Sequence, residues 1–449
     1  MRASICLSAM VFASCTAPGP FAPGAASSME IPARYDASTP PVPHVADSLL
    51  ALFDDARLQA TVRQAIRQNP DLRSSLARME EAGFNTRKTS AALYPSLDAN
   101  AAAGRSSRPA FDESGTYDLS LDTRWELDVW GRIRANVQAS TADQAAAAAD
   151  YESARQSLAA QTMQLWFELV FTEKRLALGY RRLSSFNDTY NLVLRRYELG
   201  TTTLGNLELA RTDFENGRAD IRQLEDNRDR AARNVRLITG AYPDAKLSAD
   251  TWSSLSRSVP AGIPSDVLRQ RPDIDAAYQR IRAADSRIKV AHAELFPTFP
   301  LTGSAGRSSN LLSDLGNSAF NSWSVLAGLS APIFDAGQRQ AELGASGKRA
   351  EQALANYQST MLGAFKEVED ALGSERLLRQ QETARLKALD AARSAESRTR
   401  RDYEAGITDL LSLLEAQRRV FATEDDTIAI HRNRLQNRVS LALALGKGF

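Results

Sequence analysis

Between Tyr117 and Val129 the chain alternates strictly. Odd positions carry Tyr117, Leu119, Leu121, Thr123, Trp125, Leu127 and Val129, and even positions carry Asp118, Ser120, Asp122, Arg124, Glu126 and Asp128. A period of two places the two sets on opposite faces, so the run predicts a strand with one apolar and one charged face. Residues 321–333 repeat the pattern, with Trp323, Val325, Ala327, Leu329, Ala331 and Ile333 opposite Ser322, Ser324, Gly328 and Ser330. Weaker partner strands are marked by Leu97, Ala99 and Ala101, and later by Phe299 and Leu301, on the matching parity. Runs of this length suit a tilted transmembrane strand, with Trp125, Trp130 and Trp323 available for an interfacial girdle. A half-buried sheet in water gives the same alternation.

A different period follows each strand pair. Leu165, Thr172, Gly179, Phe186 and Val193 recur every seven residues, and Leu169, Leu176, Leu183, Tyr190 and Tyr197 form the companion row. That is coiled-coil spacing. No proline interrupts the run from Arg132 to Tyr197, which as helix extends roughly 100 Å. After Gly200 a returning helix repeats the spacing with Leu207, Phe214, Ile221 and Val235 beside Ala210, Leu224, Ala231 and Ile238. The prediction is a long helical hairpin with its tip at Gly200, and a second with its tip at Gly406.

The second hairpin is expected because the chain repeats itself. Leu93-Tyr94-Pro95-Ser96 is echoed by Leu295-Phe296-Pro297-Thr298 (295 − 93 = 202), and Ala103-Gly104-Arg105-Ser106-Ser107 by Ala305-Gly306-Arg307-Ser308-Ser309 at the same offset. Further on, Arg195, Tyr197, Gly200, Thr202, Leu204, Leu207 and Ala210 recur as Arg401, Tyr403, Gly406, Thr408, Leu410, Leu413 and Ala416 (406 − 200 = 206). Each half therefore reads as helix, proline, strand pair and helical hairpin. Pro95 and Pro297 stand where helix must give way to strand, since proline cannot continue a helical ladder. Gly131 and Gly337 stand at the reverse change.

Composition agrees with long helices rather than a compact mixed core: only 7% of residues are aromatic. Lys plus Arg number 55 against 54 Asp plus Glu, so the charge balance points to no nucleic-acid or polyanion partner. His44, His292 and His431 are the only histidines and have neither metal-ligand nor triad spacing. No phosphate-cradling glycine loop occurs either. Neither catalysis nor a metal or other cofactor is expected. A purely structural coiled coil or adhesin would explain the helices but not the duplicated amphipathic strands.

The first residues read as an export signal, with Arg2 before an apolar run from Ile5 to Phe12 that is too short to span a membrane. Cys6 and Cys15 are the only cysteines; Cys6 lies within the signal, so the mature chain has no internal disulfide. Val11-Phe12-Ala13-Ser14-Cys15 resembles a bacterial lipoprotein cleavage site, although Phe12 stands where an aliphatic residue is usual. On that resemblance Cys15 is lipidated, and Thr16 rather than Asp after it implies passage to the outer membrane. Attached acyl chains would hold the protein there essentially permanently. The alternative is ordinary cleavage nearby, with Cys15 removed or left as a thiol. No other stretch is long and apolar enough for a helical span.

The organisation expected is an export signal at 1–14, an extended Pro-rich tether at 15–47, a first repeat at 48–242, a linker at 243–262 and a second repeat at 263–449. Strands are expected near 96–107, 116–130, 298–309 and 320–334, and hairpins over 131–240 and 337–446. Four strands cannot close a barrel, and an open edge in lipid leaves backbone groups unpaired at several kcal/mol each. Two chains would supply eight strands and a filled interior; three supply twelve and an aqueous lumen, which the polar face requires. The fold class expected is thus an α+β membrane protein with internal structural duplication. Three chains share a 12-stranded transmembrane β-barrel, with coiled helical hairpins beneath it.

At this point the residues resemble the TolC-like outer-membrane factor family, in its lipoprotein branch serving resistance-nodulation-division efflux pumps. The resemblance rests on Asn69-Pro70-Asp71-Leu72, the run Trp125 to Arg132 (WELDVWGR), the run Ile263 to Ile274 (IPSDVLRQRPDI), Phe296-Pro297 with Leu301-Thr302-Gly303, and Ala331 to Gly337 (APIFDAG). It covers nearly the whole mature chain. It implies a homotrimer with a 12-stranded barrel and a 12-helix periplasmic tunnel, lipid-anchored at the outer membrane and extending into the periplasm. It also implies a periplasmic adaptor (membrane fusion) protein and an inner-membrane pump as partners, with the pump choosing the small molecules exported. The outer-membrane duct of a type I protein secretion system is the second reading.

By position, the resemblance implies adaptor docking at Tyr197, Gly200, Thr202, Leu204, Tyr403, Gly406, Thr408 and Leu410. The glycines are equally explained as helix caps. Arg398, Arg400, Arg401, Asp402 and Glu404 cluster beside the second tip as a candidate periplasmic gate. Ser397 stands where some relatives carry an Asp ring, and solvated helix surface is the other role open to these charges.

Overall fold

The computed structural model describes residues 35–36, 52–108, 111–253, 255 and 264–446. The export signal, Cys15, nearly all of the tether and most of 254–263 lie outside the described residues.

Helix α1 (Ala56–Gln68) begins where the Asp55 carboxylate accepts from the Leu58 N–H at 3.0 Å, and it stops at Asn69. Pro70 then opens α2 (Pro70–Ala91), at a helical position where a missing N–H costs nothing. Strands β1 (Ser96–Arg108) and β2 (Phe111–Glu126) follow, then α3 (Arg132–Glu198) and α4 (Leu204–Ile238). The order recurs as α5 (Pro264–Gln270), α6 (Pro272–Ala293), β3 (Pro300–Ser309), β4 (Asn321–Ala327), α7 (Gln338–Glu404) and α8 (Leu410–Ala444). Helices α3 and α7 have 67 residues each, and α4 and α8 have 35 each. The hairpins are thus duplicates at one displacement throughout (338 − 132 = 206, 444 − 238 = 206).

The strands form one antiparallel sheet in the order β1-β2-β3-β4, so β1 and β4 are its edges. Its register keeps the apolar parity together. Leu97 faces Thr123, Ala99 faces Leu121 and Ala101 faces Leu119; Trp125 faces Leu301; Ala305 faces Trp323 and Gly303 faces Val325. A slip of one residue would send each apolar side chain to the charged face. That apolar face is uncovered in the single chain: Leu97 is 70% exposed, Trp323 80% and Val325 68%.

Two strands end earlier than their alternation suggested. The β2 ladder closes at Glu126, after which only Leu127 N still donates, to Phe299 O at 3.0 Å. Val129 and Trp130 are outside it because Asp128 is turned to cap α3. The β4 ladder closes at Ala327, leaving an isolated bridge between Thr298 and Ser330. Pro332 has no N–H to extend that pairing, and Asp335 caps α7. Strand β2 also begins earlier, at Phe111.

The chain forms two compact units, each drawing on both halves. The sheet lies in the unit built from Met79–Ala148 and Ala276–Ser359, which has a small core of Ala284, Ile288 and Ala350. The second unit takes its described residues from Ile31–Arg78, Ala149–Asp275 and Thr360–Phe449. Its main core gathers Phe53, Val62, Met163, Trp166, Phe167, Val235, Leu435 and Val439, with the rings of Phe53 and Phe167 edge-to-face at 4.8 Å. The hairpin tips lie in this unit.

Candidate functional site: the hairpin tips and strand junctions

Each tip is a left-handed glycine stop followed at once by a new cap. Gly200 has φ +70° and Gly406 φ +75°. Around Gly200 the N–H groups of Gly200 and Thr201 donate to Tyr197 O and Arg196 O at 2.9 and 2.8 Å, and around Gly406 those of Gly406 and Ile407 donate to Tyr403 O and Asp402 O at 3.0 and 2.8 Å. These bonds satisfy carbonyls that the helix ends leave free. A Cβ at either glycine would meet nothing within 4 Å, so backbone conformation rather than space selects glycine there. Thr203 then caps α4 by accepting from Asn206 N at 3.3 Å, and Asp409 caps α8 by accepting from Ser412 N at 2.8 Å. Thr202 accepts from the Asn206 side chain at 3.0 Å, and Thr408 is half-buried.

The residues expected at the tips divide into two groups. Tyr403 and Leu410 are 4% and 2% exposed, packed with Val193, Leu207, Ala210, Leu413 and Leu414 in a core shared by both tips. They hold the tips together. Tyr197 is 40% exposed and Leu204 54%, and the most exposed apolar tip side chains are Leu199 at 78% and Ile407 at 76%. Arg196 joins the tips by a second route: its Nη2 donates to Tyr403 O at 2.9 Å and Glu404 O at 2.8 Å, and its guanidinium lies 4.4 Å from the Tyr403 ring centroid. A cation at those carbonyls also complements the negative end of the α7 dipole.

Among the candidate gate charges, Arg400 pairs with Glu396 at 2.8 Å on its own helix and reaches Ser185 Oγ at 3.2 Å, and Arg401 donates to Ser397 Oγ at 3.0 Å. Arg398 and Glu404 are exposed and Asp402 is half-buried. A set of charges beyond these ties the hairpins together. Arg418 grips Asp213 through both carboxylate oxygens, at 2.7 and 2.8 Å. Glu424 accepts from Arg181 at 2.6 Å and from Arg393 at 3.0 Å. Burial opposes ionisation of Glu424, and the two guanidinium bonds outweigh it, holding the carboxyl below its ordinary value. Arg175 pairs with Asp425 at 2.6 Å, and Gln417, fully buried, donates to Thr189 Oγ1 at 2.9 Å. Their sequence signal is that Leu410, Gln417 and Glu424 share one seven-residue row, which places polar side chains where a coiled coil buries apolar ones.

The junction residues belong to the sheet-containing unit. Pro95 and Pro297 lie between α2 and β1 and between α6 and β3. Gly131 and Gly337 take φ +76° and +84° just before α3 and α7. Beside them the Asp128 carboxylate accepts from Ile133 N and Arg134 N, both at 2.9 Å, and Asp335 accepts from Gly337 N at 3.0 Å and Arg339 N at 3.3 Å. Desolvation works against both carboxylates, and these backbone donors with Arg134 and Arg339 more than offset it, so both are held below the ordinary aspartate value. The indole N–H groups of Trp125 and Trp130 donate to Leu93 O at 3.1 Å and Pro297 O at 2.7 Å, and Trp130 stacks on Phe296 at 4.8 Å. Trp125 thereby bolts the end of β2 to the turn between α2 and β1, and Trp130 bolts the segment that follows β2 to the turn between α6 and β3.

No described helix is long and apolar enough to cross a membrane. Among the described residues no cluster of His, Cys, Asp or Glu has metal-ligand geometry.

Comparison with known proteins agrees with this architecture. The chain is 32% identical over 406 residues to the outer membrane protein OprJ of Pseudomonas aeruginosa, covering 88% of this chain and 85% of that one. It is 29% identical over 432 residues to the cation efflux system protein CusC of Escherichia coli, covering 94% of each. The open-state crystal structure of the Neisseria gonorrhoeae MtrE outer-membrane channel superposes with a TM-score of 0.85 at 27% identity, covering 93% of this chain and 96% of that one. The family model described as outer membrane efflux protein matches residues 61–241 and 263–447, the two repeats in turn, and the chain belongs to that family.

Proposed function

We propose that this chain is the outer-membrane exit duct of a tripartite efflux system: a passive, non-catalytic homotrimer through which small molecules leave. The observation that carries the reading is the four-stranded sheet with one exposed apolar face and two edge strands, β1 and β4. Such edges are untenable in hydrocarbon. Three copies joined edge to edge give a 12-stranded barrel with the charged face of β2 lining a wet lumen. The duplicated hairpins then build a 12-helix wall projecting into the periplasm, where the exposed apolar tips Leu199 and Ile407 offer a periplasmic adaptor its contact. That adaptor links the duct to an inner-membrane pump of the resistance-nodulation-division type, and the pump selects the cargo. The efflux names of the relatives favour this over a protein-secretion duct. Lipidation at Cys15 adds an anchor on the periplasmic side of the outer membrane.

The test is the mass of the detergent-extracted protein by multi-angle scattering, with gel mobility before and after boiling. A heat-modifiable trimer is expected. A monomer soluble without detergent would sink the reading and make the strands an ordinary sheet.

A further inference from the structure

On the trimeric-barrel reading, which this inference requires, one repeated motif puts charge where lipid should be. Ala103-Gly104-Arg105-Ser106-Ser107 and Ala305-Gly306-Arg307-Ser308-Ser309 each place an arginine on the apolar parity (307 − 105 = 202). Arg105 follows Leu97, Ala99, Ala101 and Ala103 on that face of β1, and Arg307 follows Leu301, Gly303 and Ala305 on that face of β3. A charged side chain on the lipid face of a strand is costly at the bilayer midplane and nearly free at the interfaces. The two arginines therefore mark a depth in the membrane.

That depth is the leaflet away from the helices. Strand β1 leaves α2 at its Ser96 end, and eight residues separate Leu97 from Arg105 (105 − 97 = 8). Eight residues span about 27 Å along a strand, or about 20 Å along the membrane normal at the usual tilt, close to the height of a barrel's apolar band. Aromatic rings agree with this level. Tyr117 pairs with Ala103 and Ser309, and Trp323 pairs with Ala305, each one same-face position from an arginine; such rings collect at headgroups. Arg307 is held in place by neutral acceptors: its Nε donates to Asn321 Oδ1 at 2.7 Å and its Nη1 to Leu315 O at 2.8 Å. These bonds orient the guanidinium without neutralising it. Leu311 and Leu312, where the turn to Leu315 begins, are 60% and 64% exposed, so apolar surface flanks the cation on both sides.

We infer that Arg105 and Arg307 form a girdle of six guanidinium groups around the trimer (2 × 3 = 6) that binds the phosphates of a glycolipid in the outer leaflet. The guanidinium fork matches two phosphate oxygens at once, and the apolar band beneath it receives the acyl chains. An amphiphile accounts for both the charge and the exposed apolar surface, whereas a free anion accounts for the charge alone. Because the two motifs are repeats within one sheet, the six sites lie at one level. Pairing there fixes the height of the barrel in the membrane.

Native mass spectrometry of the detergent-purified trimer, titrated with lipid A carrying both phosphates or neither, tests this. The phosphorylated form should fill six places (2 × 3 = 6), and the dephosphorylated form should bind about tenfold more weakly or worse. Arg307→Gln should remove three of those places, and Arg307→Gln with Arg105→Gln all six, with the trimer mass unchanged. Arg307→Lys keeps the charge and loses the fork, so all six places should still fill, three of them more weakly; it also keeps the test open if glutamine disturbs the loop. Arg124→Gln, on the lumenal face, should bind as the parent does. Equal binding of the two lipid forms, or of the parent and the double variant, overturns the inference and leaves the arginines as side chains reaching for water. Displacement of lipid A by millimolar inorganic phosphate overturns it in favour of a free anion. A parent that is monomeric without detergent fails the duct reading itself, whereas a trimer that takes up no lipid A fails only this inference.

Discussion

The side-chain amide of Asn69 donates to the carbonyl oxygen of Ile238 at 2.9 Å. In the other half Arg271 makes the matching contact, donating to Ala444 O at 3.1 Å. Each contact ties the residue before an inter-helix proline to the end of a returning hairpin helix, and each lies against a glycine with positive φ. A Cβ on Gly240 would stand 2.5 Å from Gln68 O, and one on Gly446 would stand 2.8 Å from Gln270 O. The joint is therefore duplicated together with the fold, but its chemistry has diverged. Asn69 is neutral, whereas Arg271 is pinned by Asp273 at 2.7 Å and Glu367 at 2.6 Å.

This joint should tolerate no side chain. Gly240→Ala or Gly446→Ala combines a left-handed backbone with a steric clash, and should cost about 2–4 kcal/mol. Thermal unfolding of the detergent-solubilised protein measures it. The control is Gly205→Ala in the first turn of α4, where the nearest contact is Thr203 Oγ1 at 3.8 Å; it should be neutral or stabilising by up to ~1 kcal/mol.

At the tips, docking and folding should separate. Leu199→Asp and Ile407→Asp should weaken cross-linking to the adaptor while leaving the melting temperature within experimental scatter, since both side chains are exposed. Leu410→Ala removes a buried side chain and should lower stability by about 3 kcal/mol. Equal melting losses in both sets would show the exposed pair to be structural.

Acid should loosen the strand-to-helix junctions. Asp128 and Asp335 have lowered pKa values in the fold, so their caps stabilise it above the ordinary aspartate range and are lost as pH falls through those lowered values. Hydrogen exchange at the first turns of α3 and α7 should rise on acidification below the usual carboxylate range. Asp128→Ala should cost about 1–2 kcal/mol at neutral pH and flatten that dependence at α3.

Cys15→Ser should abolish incorporation of labelled palmitate. If the strands span the membrane as proposed, the variant should still fractionate with the outer membrane, because a closed barrel holds its place without acyl chains. Release into the soluble periplasm would mean that the lipid, not the barrel, provides the attachment.

The sequence by itself determined the local elements, the duplication, the tip glycines and the parity of the sheet. Periods of two and seven are written into neighbouring residues, and a repeat needs no fold to be seen. The pairing across hairpins was decided only in the tertiary structure. Asp213 and Arg418, or Glu424 with Arg181, lie more than 200 residues apart, and which faces which depends on the relative register and rotation of two long helices. A heptad row fixes neither of these. The same holds for Tyr403 and Leu410, whose place in the tip core follows from Val193 and Leu207 arriving from the other hairpin. The strands likewise ended where Asp128 and Asp335 found helix N–H groups to cap, a competition between ladder and cap that alternation alone does not register.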